Sequence, residues 1–159
     1  MKRIIITLIT LSLIVFCPVT TSNAAVIRQH SIEYLTDGSY YETTITTNDF
    51  HSYSLIRTAS LTRSANKTTT YTSSSGAKLW SVTVTGNFSY VKGKSSKCTS
   101  SSVSAVSYSA SWKISNKSSS KSGNTATASA TVLQYSGARP VNSVTRKVSL
   151  TCDVNGNLS

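Results

Sequence analysis

Strict alternation of apolar and hydroxyl-bearing side chains limits this chain more than any other feature. From Trp80 to Tyr90, the residues Trp80, Val82, Val84, Phe88 and Tyr90 fall on one side, against Ser81, Thr83, Thr85, Asn87 and Ser89 on the other. A period of two belongs to a strand with one buried and one wet face, and no helix reproduces it. The same reading sets Val106, Tyr108, Ala110, Trp112 and Ile114 against Ser107, Ser109, Ser111, Lys113 and Ser115. Ala126, Ala128, Ala130 and Val132 mark a third strand, and Val144, Val148, Leu150 and Cys152 a fourth. Cys152 shares its strand's apolar phase, so its sulfur is expected to face the core.

Turn signals separate these runs: Lys92-Gly93, the polar cluster from Asn116 to Asn124 containing Gly123, and Ser136-Gly137 followed by Arg139-Pro140. Upstream, Glu33 to Tyr41 reads as a hairpin whose Asp37-Gly38 pair suits a type I′ turn. Residues 30–46 are therefore expected to form an N-terminal hairpin, and 47–66, where the period fades, an irregular connection. No segment carries an amphipathic helical pattern. The expected fold is all-β: a two-layer antiparallel sandwich of seven or eight strands, with an immunoglobulin-like arrangement as the first expectation.

Lys2 and Arg3 precede an apolar run from Ile4 to Phe16, followed by Pro18 and the small residues Ser22-Asn23-Ala24-Ala25. This is the pattern of a secretory signal peptide cleaved after residue 24. The run is too short and too interrupted by Thr7, Thr10 and Ser12 to act as a membrane anchor. Cys17 lies in the discarded segment, because the bulky Phe16 before it does not suit lipid attachment. What remains, 25–159, is expected to be one secreted domain with no transmembrane segment, extracellular or retained at the cell wall. In an oxidising compartment the remaining cysteines, Cys98 and Cys152, are expected to form a disulfide. Closing that loop would stabilise the fold by roughly 4 kcal/mol in the chain-entropy model.

The composition speaks against catalysis. Over a third of residues 25–159 are Ser or Thr, while the whole chain holds 5 acidic residues and 2 histidines. Lys92-Gly93-Lys94-Ser95 echoes the end of a phosphate-binding loop, but Phe88 stands where the first glycine must be, and the segment joins two strands. Asp49-Phe50-His51 offers two members of a hydrolase triad without a Gly-x-Ser-x-Gly elbow, and reads as a solvated loop. Glu33 and Glu42 could oppose one another across the hairpin, more as exposed edge charges than as a glycosidase pair. His30, His51 and Asp49 match no metal-ligand spacing. No catalytic residue, cofactor or metal is expected.

Three segments carry a resemblance: Asp37 to Ile45 (DGSYYETTI), Leu79 to Tyr90 (LWSVTVTGNFSY) and Leu150 to Ser159 (LTCDVNGNLS). In these the chain resembles small secreted Ser/Thr-rich proteins of unknown function from Clostridia-type Gram-positive bacteria, over most of 33–159. The resemblance implies secretion and a β-rich fold, and implies no active site.

Charge is the remaining signal. Between Ser54 and Cys152 there are 13 basic residues and no acidic one. A body of one sign attracts polyanions over about 8 to 10 Å at physiological salt, though it also serves solubility. Lys92, Lys94, Lys97, Lys117 and Lys121 fall near expected turns and are the candidate polyanion-binding positions. The expected function is a secreted non-enzymatic protein that binds anionic cell-envelope polymers, without specific nucleic-acid recognition. The alternatives are a cationic bacteriocin-like membrane-active protein, suggested by the charge with exposed Tyr and Trp, and a secreted hydrolase.

Overall fold

A computed structural model describes residues 26–47 and 60–159 of the chain. The expected signal segment, Cys17, Asp49 and His51 lie outside the described residues. Five strands, β1 (Val26–Tyr34), β2 (Tyr40–Thr47), β3 (Leu61–Thr72), β4 (Lys78–Val91) and β5 (Ser95–Ser107), form one antiparallel sheet in chain order. Three more, β6 (Trp112–Ser122), β7 (Thr125–Ser136) and β8 (Arg139–Thr151), form a second. The all-β, two-layer expectation and its strand number therefore hold. The connectivity is two consecutive meanders joined once, between β5 and β6, whereas an immunoglobulin arrangement interleaves its sheets.

Alternation explains the layers. Trp80, Val82, Val84 and Phe88 of β4 are buried against Ala126, Ala128, Ala130 and Val132 of β7 and Val148 and Leu150 of β8. The small side chains of β7 let the sheets approach closely, and Gly86 makes room on the facing strand. A Cβ there would lie 2.6 Å from the Phe88 ring and 3.0 Å from Ala126. At the opposite end from the β4–β5 turn, Tyr41, Tyr71, Trp80 and Trp112 meet in tilted and edge-on pairs with centroids 5.1 to 6.3 Å apart. Such rings add about 0.5–1.5 kcal/mol per pair beyond the area they bury. Both tryptophans belong to this cluster, as the apolar phase of their segments predicts, which removes the exposed Trp that the membrane-active alternative supposed.

The hydroxyl residues occupy the other phase. Thr68 bonds Thr83 at 2.8 Å and Asn66 accepts from Thr85 at 2.6 Å across the outer face of the large sheet. On the small sheet Thr125 bonds Thr151 at 3.0 Å and Thr131 bonds Thr145 at 2.9 Å. Cross-strand pairs of this kind contribute about 0.2–1 kcal/mol each, which is how a chain so rich in Ser and Thr still builds sheets.

Several local expectations are corrected. Residues 106–114 are not one strand: β5 ends at Ser107, the chain turns through Ser109 to Ser111, and Trp112 opens β6 in the other sheet. A bulge where Asn87 and Phe88 face β5 moves the buried phase of that strand to Val103 and Ala105, leaving Val106 and Tyr108 exposed. The polar stretch from Asn116 to Ser122 is strand, with the turn confined to Gly123-Asn124. Residues 61–66, read as irregular, open β3. The Asp37-Gly38 hairpin forms, but only Gly38 has a positive φ, of 81°. Leu35 N–H bonds Ser39 O and Gly38 N–H bonds Leu35 O, a three-residue loop, Thr36 to Gly38, closed by the positive-φ glycine, in place of a two-residue type I′ turn.

The disulfide is a further correction. Cys98 and Cys152 are both buried free thiols. Each sulfhydryl donates to a carbonyl of its own neighbourhood, Cys98 to Ser100 at 3.2 Å and Cys152 to Asp153 at 3.6 Å, and the two thiols are neighbours that are not bonded to one another. Burial pushes both thiol pKa values up, which keeps them protonated and slow to react.

Candidate anion-binding surfaces

Two places gather cationic side chains. The first is the end of the sandwich where the β4–β5 turn, the Gly123 turn and the C-terminal loop meet. Gly93 N–H bonds Val154 O there, and Cys98 N–H bonds Gly123 O, so the three loops are tied together. The C-terminal loop is held by Asp153, whose carboxylate accepts from the backbone of Asn155 and Asn157 and from the Asn157 side chain, each at 2.8 Å. These bonds, the Asn157 side chain's first, hold the carboxyl below the ordinary carboxylate range. Gly156 completes the loop with a φ of 83°, and a Cβ on it would meet the Tyr90 ring at 2.6 Å.

Onto this frame the sequence places Lys92, Lys94 and Lys97, all exposed. None of the three has an ion pair or hydrogen bond among the described residues. Lys121, at the end of β6, donates to the Thr99 carbonyl, and with Lys97 it borders a depression of about 500 Å³ walled by Tyr90, Ser89 and Thr99. Four of the five lysines singled out from the sequence thus come to one end. Lys117 does not: it stands opposite Ala130 in the middle of the β6–β7 ladder. The alternation of β6 places Lys117, Ser119 and Lys121 in phase with the buried alanines of β7, but β6 lies at the corner between the sheets. There Ser119 and Lys121 reach the β5 carbonyls of Ser101 and Thr99, which explains why so polar a segment is a strand.

The second place went unread in the sequence. The two sheets close together at β5 and β6 and part on the other side, where β1 and β2 extend beyond β8. The inner face of this overhang and the edge of β8 border an open cleft of about 570 Å³, lined by Ser31, Thr43, Lys67, Thr69, Lys147 and Ser149. A neighbouring hollow of about 420 Å³ shares Ser31, Thr43 and Lys67 with it, so the two form one groove. Lys67 is half-buried opposite Ile45 and Val84, on the inward face of β3. Burial pushes its pKa below the ordinary lysine value. Its ammonium has no hydrogen bond or ion pair among the described residues.

Arg146 closes one end of the cleft. Its guanidinium stacks on the Tyr41 ring at 4.1 Å and pairs with Glu33 at 3.1 Å, while its buried Nε has no acceptor. This corrects the reading of Glu33 and Glu42 as opposed edge charges. Ile32 stands opposite Glu42 and Tyr41 opposite Glu33, so the two carboxylates point to opposite faces of the hairpin. Glu42 meets His30 at 2.9 Å on the outer face. Only a count of facing residues across β1, β2 and β3 could have found Lys67, since nothing in its own segment marks it as inward.

Among the described residues no group of three or more His, Cys, Asp or Glu side chains could hold a metal ion, and no helix is long and apolar enough to cross a membrane. No family model matches the chain, and no curated protein or solved structure shows significant similarity to it.

Proposed function

We propose that this is an exported, non-enzymatic β-sandwich protein that associates with anionic polymers of the cell envelope through its basic end. The observation that supports this reading is the set Lys92, Lys94 and Lys97: exposed, unpaired among the described residues, and gathered on one rigid end. Charges without internal partners are free to meet an external one, and a rigid frame lowers the cost of holding them in place. Their position at turns favours attraction to a charged chain over reading of a base sequence. The membrane-active alternative loses its motive in part, since Trp80 and Trp112 are core residues.

The test is retention on isolated bacterial cell walls. Binding at low salt is expected, with release by about 0.5 M salt, where exposed charges more than a few ångströms apart are screened. Replacing Lys92, Lys94 and Lys97 together by Gln is expected to lower the salt concentration needed for release. Failure to bind at low salt, or binding indifferent to salt, removes the proposal. Leakage of anionic vesicles at micromolar protein would replace it with the membrane-active reading.

A further inference from the structure

We propose that the cleft between the β1–β2 overhang and β8 is a separate ligand site, taking a small hydroxylated oxyanion such as a sugar acid or sugar phosphate with its charge on Lys67. It shares no residue with the basic end and does not depend on it. Lys67 is the first argument. A partly desolvated ammonium without a counterion costs stability, and buried charges are ordinarily paired. Its ladder neighbours are Ile45 and Val84, so an apolar side chain would suit the fold better there. A bound anion supplies the missing partner.

The surroundings give the ligand its character. Arg146, on the inward phase of β8 opposite Ala130, keeps a buried Nε without an acceptor although Glu33 engages its Nη2, whereas Lys147 borders the rim from the outer phase of that strand, opposite Ser129. Counting the inward charges, Lys67 and Arg146 against Glu33, leaves the cleft one charge positive. Ser31, Thr43 and Thr69 line it with hydroxyls that both donate and accept, which suits a partner carrying hydroxyls of its own; the Ser149 hydroxyl is engaged by Thr127 at 3.2 Å on the outer face. Thr43 and Thr69 are already bonded at 3.0 Å, so their oxygens stand in a fixed pair. Volumes of about 570 and 420 Å³ lie within the range of small-molecule sites, about 300–1,000 Å³, and a continuous groove admits an elongated ligand.

The experiment is an NMR titration of the protein with D-glucuronate, with D-glucose 6-phosphate and with neutral D-glucose. Saturable shifts of residues around Lys67 with at least one of the two anions, and none with glucose, are expected; the stronger anion identifies the oxyanion. Lys67→Met is expected to weaken that binding at least tenfold while leaving cell-wall retention unchanged. The Lys92, Lys94 and Lys97 to Gln protein is expected to keep wild-type sugar-acid affinity and lose wall retention, so the two readings fail separately. If Lys67→Met does not fold, Lys67→Gln, which keeps a polar side chain in the cleft and removes only the charge, is expected to weaken binding several-fold. No saturable binding of either anion, glucose binding equally well, or affinity unchanged in the variants overturns the proposal.

Discussion

Gly86 shows how much a single side chain decides in a core built from one layer of large residues against one of alanines. Its φ is ordinary, so the demand for glycine is one of space: a Cβ would lie within 2.7 Å of two Phe88 ring atoms. Gly86→Ala is expected to displace Phe88 and cost about 1–3 kcal/mol in urea unfolding, as overpacking does. In a Gly86→Ala, Phe88→Leu double variant the cost is expected to fall short of the sum of the single changes, since the two share one space. Additive costs would mean that the ring moves aside freely. The cysteines yield a second test at this scale. In a chain starting at residue 25, Cys98 and Cys152 are expected to react with a thiol reagent only after unfolding, because burial hides both sulfurs and raises their pKa values. A denatured chain with no titratable thiol would contradict the free-thiol state.

At the scale of elements, the strands were legible in proportion to how fully their inward phase is apolar. β4 and β7 read directly, since Trp80 to Phe88 and Ala126 to Val132 alternate without a break in partner or layer. β3 was half hidden, because its inward positions are Arg63, Ala65, Lys67, Thr69 and Tyr71, a mixture that shows no hydrophobic period. β6 was hidden by its place at a corner, where lysine and serine reach backbone carbonyls of β5 instead of packing in oil. The false continuity across 106–114 arose because two strands of different sheets happened to share a parity. Turns were read well as places and less well as geometries. The Asp37 and Asp153 loops share one design, a carboxylate accepting backbone and side-chain donors just ahead of a glycine with positive φ. Hydrogen bonds, led by the Ser39 hydroxyl at Asp37 and the Asn157 amide at Asp153, lower both pKa values. A carboxylate with a depressed folded pKa contributes stability above its unfolded value, about 4, and loses it as pH falls through the folded one. Melting temperature is therefore expected to drop as pH is taken from about 5 towards 2, and Asp153→Asn is expected to flatten that drop. An unchanged profile in the variant would mean that Asp153 carries no share of the acid sensitivity.

For the whole molecule, charge and shape divide the surface. The basic residues from Arg63 to Lys147 are spread over both sheets, yet Lys92, Lys94, Lys97 and Lys121 converge on one end while Arg146, Lys147 and Lys67 border the cleft on another side. Convergence at the end follows from the meander, which returns every second turn to the same side. The cleft follows from unequal sheets, five strands over three: β1 and β2 do not pack directly on the small sheet, although Tyr41 and Ile45 of β2 are buried. Removing the Lys67 charge should show this difference energetically as well. Lys67→Met is expected to raise stability in denaturant, since it replaces an unpaired, half-buried ammonium with an apolar chain beside Ile45 and Val84. A variant less stable than the wild type would place a counterion beside Lys67 in the free protein.

By itself the sequence determined the β class, the inward face of the apolar strands, the positions of the turns and the sign of the surface, because alternation, glycine and charge act locally or in sum. It identified neither the facing partners nor the pairing state of the two thiols. Which residues oppose one another depends on register and on how many strands each sheet recruits, and those are settled by contacts between segments far apart in the chain. Tertiary structure alone decided that Trp80 and Trp112, from different sheets, meet in one aromatic cluster, that Glu33 pairs with Arg146, and that Lys67 stands inside a cleft without a partner among the described residues.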